Sequence, residues 1–397
     1  VEGTLWMRIE DVRTFTLKGL MPCEGEFWEE RLVRPIDVYP RFREGGPGTL
    51  RKVSKSMVEV AGTYLEIATD EGVTGIAGPI DSLQASVITG SLKPLLLGED
   101  PFQVEKFWDQ MYRLMVHGRK GETMMAISAV DCALWDLKGK ALKQPVYKLL
   151  GGPTRDRVRA YASALGYSLK PEAVADRCLS LVEQGYTAMK WFFRHSPADG
   201  VKGVERNLEL VKTVRDTVGY NIDLMVDCWM SWSVPYTIKM AGKLERYELA
   251  WIEEPLLPDD VDGYAEVAAA VETPIAGGEH EYTRWGFNEL IKHKALDILQ
   301  PDIMWAGGIS EVLKICALAS VTDVSVVPHT GFMASTVNLL LSQTETLCPI
   351  AEYLVKWNMI NQAFYKEQLK PEKGFFKPTS KPGLGFEFDE GKVVEKT

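Results

Sequence analysis

The rhythm of apolar and polar positions changes part-way along the chain. From residue 158 onward, short apolar runs recur at 158–163, 188–193, 223–229, 249–254, 275–279, 298–302, 324–329 and 350–354. Between them lie stretches with helical spacing, such as 171–183, 203–217, 235–244, 263–270, 285–292 and 309–319. Eight strands joined mostly by helices match the count of a (β/α)8 barrel, which carries its chemistry at the C-terminal strand ends. The competing layout is an open doubly wound sheet. No G-x-G-x-x-G opens a helix, so nothing supports a dinucleotide site.

The first 130 residues read differently. Strands are expected at 8–17, 57–68 and 74–76, and helices at 86–97, 101–117 and 123–141. On the last helix Ile127, Val130, Leu134, Leu137 and Ala141 fall on or near one face. Between the first two strands lies a loop at 21–51, rich in Arg, Pro and Gly. A loop of about thirty residues is uncommon and is usually functional or disordered. The pattern predicts an α+β unit at 1–130, completed by the Lys-, Pro- and Gly-rich segment 361–397, and a barrel at 131–360.

Composition mainly excludes. A chain of 397 residues is too long for one ordinary core unless the fold is a barrel. A net charge of −10 argues against a nucleic-acid or anionic-membrane partner. No apolar run approaches the roughly 18 residues of a membrane span. No basic region followed by an apolar core opens the chain, so no signal peptide is expected. The six cysteines are scattered, with no C-x-x-C pair. They read as reduced thiols of a cytoplasmic protein and not as a zinc site.

Three of the apolar runs end in carboxylates: Met225-Val-Asp-Cys-Trp229, Trp251-Ile-Glu-Glu-Pro255 and Ala276-Gly-Gly-Glu-His280. Asp227, Glu253 and Glu279 are separated by 26 residues each, about one strand–helix–strand unit. Any one of them alone reads as a solvated loop acid. Three at one strand-sized interval would converge, and they would repel unless a cation sat between them. Hard oxygen ligands suit Mg²⁺, which keeps positions open for water or substrate oxygens. In a regular strand Glu254 should point away from Glu253, so only Glu253 is assigned to the metal.

Asp302 and His329 close the next two runs, 27 residues apart. An Asp beside a His fixes its tautomer and raises its basicity, as a general base requires. Glu352, in the eighth run, could stay protonated in a closed site and donate to a developing oxyanion. Lys190 lies inside an apolar strand and needs a partner, which a substrate carboxylate would supply. Phe192, two residues on and on the same face, cannot transfer protons. His280, Arg194 and His195 are further candidates to reach a substrate. From the 21–51 loop, Arg31, Arg34 and Arg51 are candidates for its distal groups.

With these residues in place the chain resembles the enolase superfamily, mandelate-racemase subgroup. The resemblance rests on Ala129-Val-Asp-Cys-Ala-Leu-Trp-Asp-Leu-Lys-Gly-Lys140, on Gln144-Pro-Val-Tyr-Lys-Leu-Leu-Gly-Gly152, on the three acids and on the Asp302/His329 pair. It covers nearly the whole chain. It implies an α+β capping domain over a modified (β/α)7β barrel, one Mg²⁺ per subunit on Asp227, Glu253 and Glu279, and His329 as base. Leu224-Met-Val-Asp-Cys-Trp-Met-Ser231, Gly278-Glu-His280 and Pro349-Ile-Ala-Glu352 are similar to the acid-sugar dehydratases of that subgroup, the rhamnonate dehydratases in particular. The 21–51 loop departs from them, with several arginines and no His before His117, as does 330–335.

The implied reaction is dehydration of a sugar acid, an L-rhamnonate-like aldonic acid, to a 2-keto-3-deoxy acid through an enediolate. His329 would take the α-proton and Lys190 would bind the carboxylate, with Glu352 on an enediolate oxygen. The subgroup's racemases place a Lys two residues after the one matching Lys190, where this chain has Phe192. That favours elimination over the alternative, a racemase, epimerase or cycloisomerase of a carboxylate substrate. The resemblance further implies a homo-oligomer, often an octamer.

Overall fold

The computed structural model describes residues 7–397. The first unit is built on an antiparallel sheet of β1 (Ile9–Pro22), β2 (Lys52–Ser54), β3 (Met57–Thr69) and β4 (Thr74–Ile80). β1 runs past its predicted end because Leu17, Gly19 and Met21 continue to bury alternate positions opposite β3. The first predicted helix begins earlier than its periodicity suggests, at Ser82, where Asp81 and Gln84 form a reciprocal cap. It then loosens into a π turn over Ile88–Leu92, just before Pro94, which has no N–H for the helical ladder. The 21–51 loop is not featureless. It carries short helical turns at Pro35–Val38 and Pro40–Arg43.

The larger sheet holds eight parallel strands. These are β5 (Val158–Ser163), β6 (Ala188–Phe192), β7 (Asp223–Asp227), β8 (Trp251–Glu253), β9 (Ile275–Gly277), β10 (Ile298–Leu299), β11 (Ser325–Val326) and β12 (Ala351–Leu354). Each pairs with the next from β5 to β11, and β12 returns to the other side of β5. The sheet is strongly curled. Tyr161, Ala188, Met225, Trp251, Ala276, Val327 and Ile350, from strands all round the sheet, meet in one interior cluster. The last strands are shorter than their apolar runs because Pro301 and Pro328 have no N–H to continue the ladder. The helix Met333–Ser342 escapes periodicity analysis because all ten of its residues, including Ser335, Thr336, Asn338 and Ser342, are buried, so it has no exposed face.

The C-terminal segment ties the units together. Its short strands β13 (Phe375–Phe376) and β14 (Glu395–Lys396) pair with β5 and β1 respectively. The helix Glu122–Ala141 packs against β4 so closely that a Cβ on Gly75 would lie 2.0 Å from the Ala133 carbonyl oxygen. Asp136 on that helix is fully buried and accepts from Ile76 N at 2.9 Å and from Leu384 N at 2.8 Å. One side chain thus joins three segments remote in sequence. No helix among the described residues is long and apolar enough to cross a membrane.

Replacing Asp136 by Ala leaves the buried N–H of Leu384 without an acceptor, which costs about 1–3 kcal/mol, and the part-buried N–H of Ile76 as well, at a smaller cost. The denaturant midpoint of Asp136→Ala should fall accordingly. Asp136→Asn, which retains one carbonyl acceptor, should lose less. Equal midpoints for wild type and Asp136→Ala would refute this role.

Candidate active site

The side chains singled out in the sequence come together at the C-terminal ends of the parallel strands. In β6, Ala188 faces the interior cluster while Met189 and Trp191 face outward, so Lys190 and Phe192 point into the barrel. The same alternation turns Asp227 inward two residues after Met225, and Glu253 two residues after Trp251. Glu279 follows the end of β9, past Gly278 at φ 104°, a backbone conformation suited to glycine. Asp302 and His329 follow the ends of β10 and β11, each one residue past a strand-ending proline.

Lys190 is buried and ringed by carboxylates. It pairs with Glu253, lies 2.9 Å from Glu352 Oε1 and 3.9 Å from Asp227 Oδ2. Burial alone would lower its pKa, but Glu253 and Glu352 outweigh that and hold it well above the usual lysine value. The other oxygen of Glu253, Oε2, accepts from Trp251 Nε1 at 3.0 Å and from Gln300 Nε2 at 2.7 Å. Burial favours the neutral form of Glu352, but Lys190 and His329 overcome this and lower its pKa. It therefore stands as a carboxylate beside Lys190, not as the protonated donor expected from sequence.

His329 Nδ1 lies 2.7 Å from Asp302 Oδ2, so the expected dyad is formed. Asp302 is itself fixed, since it also accepts from Gly331 N at 2.7 Å and from Met304 N at 2.6 Å. The free nitrogen, His329 Nε2, faces Glu279 Oε1 at 3.4 Å and Glu352 Oε2 at 3.9 Å. Burial opposes a charge on the ring, but Glu279, Asp302 and Glu352 together push its pKa up to about 10.

Glu254 does not point away as a regular strand would require. Its φ of 39° breaks the strand and swings the side chain toward His280. It accepts from His280 N at 3.2 Å, and its Oε2 lies 2.7 Å from His280 Nδ1. Donor atoms of Glu254, Glu279 and His280 all lie within 4.8 Å of one another, a grouping able to hold a metal ion. Asp227 is close enough to feel Glu253, Glu279 and Glu254. Burial, reinforced by these acids, raises its pKa well above the carboxylate range. Glu279 is pushed up to about 7, with burial as the main cause. Four buried oxygen donors with surplus negative charge suit a hard divalent cation.

A cavity of about 390 Å³ opens over these groups. Lys190, Asp227, Glu279, His329, Thr330 and Asn361 give it polar lining, and Leu32, Pro79, Leu165, Leu354 and Trp357 give it an apolar wall. Trp305, also in the lining, packs against both imidazoles, 5.2 Å from His329 and 5.6 Å from His280 between ring centres. Sequence reasoning missed Trp305, Trp357 and Leu32. Leu32 and Trp305 stand on loops, where no periodicity marks a functional face, and Trp357 stands on a helix of only seven residues, Val355–Asn361, too short to show one.

The arginines are placed differently from expectation. Arg51 has a side chain 77% exposed and pairs with Glu59 at 3.2 Å, on a hairpin outside the cavity lining. Arg31 is buried and bonds Asp37 at 2.6 Å together with the carbonyls of Leu32, Phe42, Arg43 and Gly45, so it builds the loop. Arg34 likewise turns to Asp37, at 3.3 Å. Arg194 bonds the Arg43 carbonyl and, with His195, lines a separate depression. His280 stands beside the cavity lining.

Comparison with known proteins identifies the family. Residues 51–151 match the mandelate racemase/muconate lactonizing enzyme N-terminal domain, and residues 173–392 match the enolase C-terminal domain-like family. An L-rhamnonate dehydratase of Saccharopolyspora erythraea is 36% identical over 333 residues, 81% of each chain. A provisionally named L-rhamnonate dehydratase of Caldivirga maquilingensis is 34% identical over 401 residues, covering 98% of this chain and 96% of its own. The crystal structure of rhamnonate dehydratase from Gibberella zeae complexed with Mg superposes with a TM-score of 0.82 at 30% identity, over 99% of this chain and 97% of that one. This chain belongs to the enolase superfamily, in its mandelate racemase/muconate lactonizing enzyme group, and is an enzyme of the dehydratase, or hydro-lyase, type.

Proposed function

We propose that this protein dehydrates a sugar acid, an L-rhamnonate-like aldonic acid, to the 2-keto-3-deoxy acid. The observation that carries the reading is the His329–Asp302 dyad, which faces the same cavity as Lys190 and the acid cluster. Asp227, Glu253 and Glu279 would hold one Mg²⁺, with Glu254 beside them as a further donor. Bound there, the ion would supply positive charge opposite the substrate's carboxylate.

The chain's own groups account for the rest. Lys190 binds a carboxylate oxygen and offsets the charge that grows there as the α-proton leaves. His329 Nε2 takes that proton, and Asp302 on Nδ1 stabilises the resulting imidazolium. The same imidazolium returns the proton to the departing 3-hydroxyl when both groups lie on one face of the substrate. The resulting enol tautomerises to the keto acid. Phe192, buried on the inner face next to Lys190, offers no second base, and this supports elimination over racemisation. The apolar side of the cavity supports a monocarboxylate with an uncharged tail over a diacid. Scattered, unpaired cysteines fit a reducing, cytoplasmic setting. Light scattering would test the expected homo-oligomer.

His329→Asn should keep fold and metal binding and lower kcat by roughly 10²–10⁴-fold, nearer the upper value because two proton transfers share one imidazole. It should also lose exchange of the α-proton with solvent deuterium. Exchange at the wild-type rate would rule His329 out as the base. Chelation with EDTA should abolish turnover and Mg²⁺ should restore it. Full activity in chelator would remove the metal from the scheme. The base must be neutral to act, and its neighbours raise its pKa to about 10. A cation on Glu279 weakens the largest of the upward influences. The rate should therefore rise with pH through a value below 10, and a rate that falls across the neutral range would contradict this assignment.

A further inference from the structure

Lys356 follows the cavity-lining Leu354 by two residues and directly precedes Trp357, yet the proposed chemistry makes no use of it. Its side chain is buried. The ammonium lies 2.5 Å from the Phe27 carbonyl oxygen, 2.7 Å from Glu29 Oε1 and 2.9 Å from the Gly166 carbonyl oxygen. An ammonium has three donors, and all three are used here. The acceptors come from two loops far apart in sequence. Glu29 ties the same loops twice more: its N–H donates to the Gly166 carbonyl at 2.8 Å, and its Oε2 accepts from Ser168 N at 3.1 Å. The loops approach closely because Gly166, at φ +87°, has no Cβ. One placed there would lie 2.4 Å from the Trp28 ring. That ring in turn packs 4.9 Å from Trp357.

Each segment gripped by this ammonium delivers part of the apolar wall. Leu32 comes three residues after Glu29, Leu165 directly precedes Gly166, and Leu354 and Trp357 flank Lys356. A charge is kept in such surroundings only where every hydrogen bond it needs is supplied. The three bonds therefore fix the relative placement of all three segments.

We propose that Lys356 is a positioning residue that assembles the apolar wall of the cavity and thereby sets how tightly the substrate's tail is held. This rests on the reading of the cavity as a sugar-acid dehydratase site. Lys356 acts through Leu32, Leu165 and Trp357, none of which exchanges protons, so its loss is felt in binding and not in the proton transfers.

Lys356→Met keeps the length of the side chain and removes its charge and donors. KM for a sugar acid that the wild type turns over should rise roughly tenfold, the equivalent of about 1.4 kcal/mol. The value of kcat and the Mg²⁺ affinity should stay close to wild type. The amides of Glu29 and Ser168 should exchange with deuterium faster than in wild type. Lys356→Arg, which keeps charge and donors, should recover part of the lost affinity. Glu29→Gln, which keeps the backbone tie, is the milder variant should Lys356→Met not fold, and it should raise KM less. The exchange measurement needs no substrate. If the wild type turns over no sugar acid, the reading of the reaction fails, while faster exchange at Glu29 and Ser168 still supports the clasp. A fall in kcat at unchanged KM, unchanged exchange in both loops, or no rise in KM for Glu29→Gln overturns the proposal.

Discussion

Balance of buried charge is the constraint on which the rest of the site depends. The curled sheet brings Asp227, Glu253, Glu254, Glu279, Asp302 and Glu352 to one end, all buried. Removing an ion from water costs several kcal/mol even after the protein relaxes, so each charge needs a partner. Lys190 serves Glu253 and Glu352, His280 serves Glu254, and His329 serves Asp302. Asp227 and Glu279 are left with the least compensation, and theirs are the carboxyls pushed toward the neutral form. The deficit is a property of the fold itself. It explains why a dication belongs at that end of the barrel, independent of any likeness to other proteins.

The same constraint explains which parts of the site were legible in the sequence. Asp227, Glu253, Glu279, Asp302 and His329 were legible because each closes a strand run, and the repeating strand–helix unit turns equal spacing along the chain into proximity in space. Glu254 was not, because its direction depends on one backbone angle. Alternation along a strand puts it outside, and a φ of 39° returns it to the mouth. The charge state of Glu352 was misjudged for a related reason. Burial by itself argues for a protonated acid, whereas the ammonium at 2.9 Å argues more strongly for a carboxylate. Side-chain type alone does not rank those two effects, and distance does.

Arginines in the 21–51 loop were legible as a cluster but not as a function. A guanidinium has five donors and satisfies a carboxylate or carbonyls with equal ease, so its sequence position does not say which it meets. Arg31 spends its donors on Asp37 and four backbone carbonyls, and the loop folds round it. The contact that this loop makes with the cavity is apolar, through Leu32. Electrostatic steering by the loop is thereby replaced with shape.

A cavity with one polar and one apolar side imposes an orientation on whatever enters it. On the proposed reading the carboxylate end faces Lys190, because the apolar wall of Leu32, Leu165, Leu354 and Trp357 has nothing to replace its lost hydration. On the same reading the adjacent carbon faces His329 Nε2, the one dyad nitrogen not held by Asp302. Trp305 limits tilt, since its ring occupies the space between the two imidazoles. Phe192, buried two residues after Lys190 in β6, has no proton to give, and on the proposed reading His329 is the group on whose side the intermediate resolves. On that side the proton returns either to the carbon it left, which changes nothing, or to a neighbouring hydroxyl, which expels water. For a substrate with a 3-hydroxyl, the proposed dehydration is the net change that a single imidazole base can complete.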